Sequence, residues 1–107
     1  MTPDEVLRMI RDTRTQLLRG AEVLEAAELA AERAEETAQL VFDKAFMTSE
    51  GSIPEKQAIA RAASTQERDA GFIARAAHNR VRTKIRALES SLVSLQAELK
   101  WMKEEGA

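Results

Sequence analysis

The chain has 107 residues, with sixteen Lys and Arg against eighteen Asp and Glu, and its net charge of −2 favours neither a polyanion nor a polycation as partner. It contains no cysteine, which excludes disulfides, thiolate chemistry and cysteine-ligated metals. No apolar run approaches the ~18 residues that cross a bilayer, and Met1-Thr2-Pro3-Asp4-Glu5 is acidic where a secretory leader would be apolar. The expectation is a cytoplasmic protein without membrane association, in the host cytoplasm if the chain is viral.

Ala, Glu, Arg and Leu recur throughout, and there are two prolines and four glycines. Strand-like alternation of β-branched residues is missing, so the length and composition predict one all-α domain over residues 1–107. Thr2-Pro3-Asp4-Glu5 reads as a capping box: the hydroxyl accepts from an early backbone N–H, and the Glu three residues on reaches back. Pro3 sits at the first helical position, where its missing donor is harmless. Helix 1 is therefore expected over about 3–48.

A heptad grid fits this helix. Ile10, Leu17, Leu24, Ala31, Ala38 and Ala45 form one line, and Val6, Thr13, Gly20, Ala27, Ala34 and Val41 its companion. The seam is large near the start and small further along, where a neighbouring backbone can come close. A second line, Leu7, Leu18, Leu29 and Leu40, repeats every eleven residues, which is close to three whole turns, and lies largely off the seam.

Ser49-Glu50-Gly51 is followed by a second capping box, Ser52-Ile53-Pro54-Glu55, so a turn is expected over 49–53 and helix 2 over about 54–104. The short connection makes the two helices antiparallel neighbours. Phe46, Met47 and Ile53 are placed to plug the tip of the resulting hairpin. Helix 2 has a strong seam in Val81, Ile85, Leu88, Leu92, Leu95, Leu99 and Met102. Further back, hydropathy selects Ile59, Ala63, Ala70, Ile73 and Ala77, and two successive steps of four imply a stutter at Ala77–Val81–Ile85. Val93, Ala97 and Trp101 recur every four residues opposite the Leu-rich seam.

The fold expected is thus a long antiparallel two-helix hairpin. A hairpin buries one stripe per helix, and each helix here carries two, so assembly into a four-helix bundle or larger homo-oligomer follows. The contact residues this picks out are Leu18, Leu29, Leu40, Val93, Ala97 and Trp101, with Phe46 and Met47 at the tip.

The charges are segregated. Residues 22–50 hold eight acids against two bases, and residues 51–88 hold eight bases against three acids. Arg61, Arg68, Arg75 and Arg82 recur every seven residues, with Arg86 beyond them, and this stripe is the candidate nucleic-acid contact. No aromatics interleave with it to stack bases. The same spacing also suits flanking positions that face an acidic helix.

His78 is the only histidine and stands in Arg75-Ala-Ala-His78-Asn-Arg80, a basic setting that disfavours a metal; a polar flanking position is expected for it. Glu22, Glu25, Glu28, Glu32, Glu35 and Glu36 share helical spacings but read as a solvated face. There is no Gly-rich phosphate loop, nucleophile elbow or metal-ligand cluster, and no cofactor or catalytic residue is expected.

The closing stretch Arg86-Ala-Leu-Glu-Ser-Ser-Leu-Val-Ser-Leu-Gln-Ala-Glu-Leu-Lys-Trp101-Met-Lys-Glu, after an Ala/Glu-rich first arm, resembles small helical-hairpin proteins of tailed bacteriophages and prophages. That resemblance implies a viral accessory protein acting through contacts and carries over no site residue. The function expected is a non-enzymatic, self-associating interaction protein with a protein partner. The alternatives are a nucleic-acid accessory protein of recombination or replication, and a virion assembly scaffold or chaperone.

Overall fold

A computed structural model describes residues Met1–Gly106, and these form three α-helices with no strand among them. α1 spans Pro3–Thr48, α2 Ile53–Ala63 and α3 Thr65–Gly106. The hydroxyl half of each capping box forms, without a return bond from the Glu5 or Glu55 side chain to the cap N–H. The Thr2 hydroxyl accepts from the Glu5 N–H at 3.3 Å, and the Ser52 hydroxyl accepts from the Glu55 N–H at 3.3 Å. Between α1 and α2 the chain turns at Gly51, whose φ of 117° is the only positive value among the described residues. L side chains rarely adopt that conformation, and glycine reaches it without a Cβ clash.

The second arm, expected as one helix, is divided at Ser64. Its φ of −102° and ψ of 9° lie in the bridge region. The Ser64 hydroxyl donates to the Ala60 carbonyl at 2.9 Å, and its N–H donates to the same oxygen at 3.1 Å. Back-bonding of this kind loosens a helix locally. The Arg61 carbonyl then collects side-chain donors, namely Thr65 Oγ1 at 3.1 Å and Arg68 Nη2 at 2.9 Å. Ser64 is fully buried, so the break lies on the inner face of the arm.

The chain folds into two compact units. One joins Met1–Glu25 with Arg80–Ala107, and the other is Ala26–Asn79. In the first unit, Val6 and Ile10 are buried, and Leu17, Leu24, Val81, Ile85, Leu88, Leu92, Leu95, Leu99 and Met102 are half-buried. This is the seam the heptads define. Thr13 is admitted to it because its hydroxyl donates to the Met9 carbonyl at 2.8 Å and brings no unpaired donor inside. Ile85 lies directly over Gly20, where an added Cβ would stand 3.2 Å from Ile85 Cγ1.

The second unit pairs the later part of α1 with α2 and the start of α3. Lys56 Nζ lies 5.1 Å over the Phe46 ring, and Arg75 pairs with Glu35, so residue numbers run in opposite senses and the arms are antiparallel. The fully or nearly buried apolar residues of this unit are Ala31, Ala38 and Ala60. The inner line of α2 and α3 is Ala60, Ser64, Glu67, Gly71, Ala74 and His78, each buried or half-buried. Three expectations fail here. Ile59, Ala63, Ala70 and Ile73 are exposed rather than in the seam. The stutter is absent, because the inner line steps by four and three without interruption from Ala60 to Met102. His78 is an inner residue, only 6% exposed, and not a polar flank.

Candidate interaction surfaces

Of the residues expected at the tip, Phe46 is half-buried, stacked on Phe42 with ring centroids 6.4 Å apart and capped by the Lys56 ammonium. The cation–π contact and the ring stack hold this end together. Met47 and Ile53 do not plug it, being 79% and 65% exposed. Of the eleven-residue line on α1, Leu18 and Leu40 lie most openly on the surface and Leu29 less so. Val93, Ala97 and Trp101 are also exposed, on the α3 surface of the first unit.

The arginines of the seven-residue stripe follow one position after the inner residues Ala60, Glu67, Ala74 and Val81, so they flank the seam. Their environments differ. Arg75 forms a two-nitrogen pair with the Glu35 carboxylate, and its Nη1 lies 3.4 Å from His78 Nδ1. That hydrogen bond, aided by charge attraction, holds the Glu35 carboxyl below the usual carboxylate range and raises Arg75. Arg68 is half-buried and directed at the Arg61 carbonyl beside the helix break, with its Nε enclosed and unbonded. Arg61, Arg82 and Arg86 are exposed. Two of the five arginines therefore serve the second unit's own architecture, an assignment that heptad spacing alone could not make.

Glu22, Glu25, Glu28, Glu32, Glu35 and Glu36 are all exposed. Among the described residues no three His, Asp or Glu side chains converge closely enough to hold a metal ion, and no helix is long and apolar enough to cross a membrane. No family model, curated protein or solved structure matches this chain. Its surfaces must be read from their own chemistry.

That chemistry is apolar. A shallow groove in the second unit runs between Phe42 and Phe72, floored by Ala38 and Gly71 and edged by Glu35 and Arg68. In the first unit a groove lined by Val23, Val81, Ile85 and Leu88 opens beside Gly20. Phe72, on the rim of the first groove, and Ile73, outside both, are 70% and 68% exposed. The signal for them was present in the sequence: both fall one and two residues after Gly71, and counting the seam back from Met102 in steps of three and four puts Gly71 inside and them outside.

Proposed function

We propose that this chain is a non-enzymatic interaction protein, an antiparallel helical hairpin that self-associates and presents a surface to a protein partner. The observation that carries the reading is the inversion of the second unit. Its buried apolar residues are alanines, while Leu29, Leu40, Ile59, Phe72 and Ile73 stand in solvent. Burial stabilises by roughly 25 cal/mol per Å² of apolar surface, so covering these exposed side chains in an assembly would be favourable. Exposed apolar residues scattered singly are ordinary, but a concentration of them beside an alanine interior marks a contact surface. In the first unit, Val93, Ala97 and Trp101 supply the surface we assign to the partner, since tryptophan is favoured at such contacts. The resemblance of the closing stretch to phage hairpin proteins supports an accessory role in a viral setting.

The pairing of Arg75 with Glu35 and of Arg68 with the Arg61 carbonyl supports a structural role for those arginines over a phosphate-tracking one. Size-exclusion chromatography with light scattering tests self-association. The expected result is a particle of at least twice the 11.9 kDa chain mass at micromolar concentration. A clean single-chain mass refutes it. Trp101→Ala is expected to abolish capture of the partner while leaving the assembly mass unchanged.

A further inference from the structure

We infer that the first unit docks onto a second copy of this chain, related by a two-fold axis, through the groove face that carries Met9, Val23, Lys84, Ser91 and Glu98. This rests on the self-association reading and names one contact of that assembly and the residues that set its register.

In the first unit the grooves beside Gly20 and beside Thr13 share Leu88, so they form one trough on one side of the seam. Met9, Gln16 and Val23 edge it from α1, and Lys84, Ser91 and Ser94 from α3. Steps of seven residues extend these edges, to Glu98 beyond Ser91 and to Ala87 before Ser94, while Glu5, Asp12 and Arg19 form the next row out on α1. The middle of the α3 edge is small, with Ala87, Ser91 and Ser94 all exposed, so another backbone can come close. Met9 and Val23 are 40% and 54% exposed across from it.

Charge on this face reverses sign along its length. Arg19, Arg80 and Lys84 stand at the end near Val23 and Val81, and Glu5, Glu98 and Glu105 stand at the other. Among the described residues, Glu5, Arg19, Lys84 and Glu98 make no ion pair within the chain. A face of this kind is complementary to itself turned end for end, and its turning point is fixed twice. On α1, Glu5 and Arg19 lie seven residues either side of Asp12; on α3, Lys84 and Glu98 lie seven residues either side of Ser91. Ile85 lies over Gly20, so in antiparallel helices Asp12 is level with Val93, and Ser91 is only about 3 Å further along.

One two-fold axis at that level, lying in the plane of the contact, therefore serves both helices. It sets Glu5 against Arg19 of the second copy and Glu98 against Lys84 of the second copy. The second copy is the occupant because the chain itself supplies the matching charges at the matching separation. α1 then lies antiparallel on its own counterpart and α3 on its own, so every neighbouring pair in the resulting four-helix bundle is antiparallel. Ser91 meets its counterpart and Ala87 meets Ser94, small against small. Asp12 meets its counterpart at the open rim, where solvent and salt keep the repulsion small.

The chain has no cysteine, so engineered thiols report proximity cleanly. Ser91→Cys and Ala97→Cys place a thiol at two exposed sites of α3, the first at the proposed axis and the second on the outer surface. Under mild oxidation Ser91→Cys is expected to form a covalent dimer several-fold faster than Ala97→Cys. Lys84→Glu and Glu98→Lys are each expected to weaken association about tenfold in sedimentation equilibrium, since the symmetry places like charges together twice. Mixed in equal amounts, these two variants are expected to regain the wild-type affinity, because each supplies the charge the other lacks; no contact within a single chain produces that rescue. In a wild-type particle that light scattering shows to be oligomeric, equal cross-linking at positions 91 and 97, or no rescue on mixing, overturns this face and leaves self-association standing. A wild-type protein of single-chain mass overturns both.

Discussion

Replacing Gly71 by alanine should stabilise the protein, and the size of the gain follows from the geometry. Gly71 is buried in the second turn of α3, past its first four residues. A glycine there costs about 1 kcal/mol relative to alanine in helix propensity. A Cβ built at this position would lie 3.6 Å from Glu35 Cγ and 3.8 Å from the Glu35 Cα and N. Those are ordinary van der Waals separations, so the methyl group enters contact without displacing its neighbours and adds up to about 0.8 kcal/mol of apolar burial. The sum is a gain of about 1–2 kcal/mol, or roughly 4–8 °C in Tm for each kcal/mol in a domain of this size. Gly20→Ala is the internal control. Its Cβ would meet Ile85 Cγ1 at 3.2 Å, so Ile85 must give way and part of the same propensity gain is lost. Thermal and urea melts followed by circular dichroism at one fixed chain concentration compare the two variants, because association links stability to concentration. Destabilisation by Gly71→Ala, or a smaller gain than Gly20→Ala gives, refutes the spacing of the two arms described at Gly71.

Gly51→Ala forces a Cβ onto a φ of 117° and is expected to cost about 1–3 kcal/mol, visible as a lowered urea midpoint with an unchanged slope. The Glu35 carboxyl is held below its ordinary value by Arg75. A carboxyl whose folded value is depressed contributes stability that is fully present above its unfolded value and is lost as pH falls through the folded one. Acid titration of stability should therefore show a component in that window that is absent in Glu35→Gln, and identical acid limbs for the two proteins would show that the pair adds nothing.

The first unit was legible because its inner residues are what hydropathy seeks. Val6, Ile10, Leu88, Leu92 and Leu95 mark the seam by identity as well as by spacing. The second unit was misread because identity and spacing part company there. Following apolar side chains led to Ile59, Ala63, Ala70 and Ile73, all of which face outward. Continuing the three-and-four count back from Met102 would have led to Ala74, Gly71, Glu67, Ser64 and Ala60, which are inside. Spacing is fixed by helix geometry, which persists whatever the side chain is. Identity is set by what the site tolerates. Ser64 is tolerated because its hydroxyl and its N–H both bond the Ala60 carbonyl. The break at Ser64 had no sequence mark beyond a serine in a helical run. The helix caps at Thr2 and Ser52 were legible, since their chemistry is local and each hydroxyl accepts from an N–H three residues on.

His78 brings these threads to one residue. It occupies an inner position that a coiled coil normally gives to an aliphatic side chain, and it is 6% exposed with Arg75 Nη1 3.4 Å from its Nδ1. A hydrogen bond of this kind contributes about 0.5–1.5 kcal/mol net, and a leucine buried in its place would contribute about 1.5–3 kcal/mol. His78→Leu should therefore raise stability by about 1 kcal/mol in urea melts, because Arg75 keeps its stronger partner in Glu35. The same substitution leaves the outer face untouched, so the mass of the assembly should not change. If His78→Leu instead destabilises the fold, the histidine is fixing the Arg75 guanidinium in place for Glu35, and the charged flank of the second unit depends on a side chain from inside the seam rather than on the two flanking residues alone.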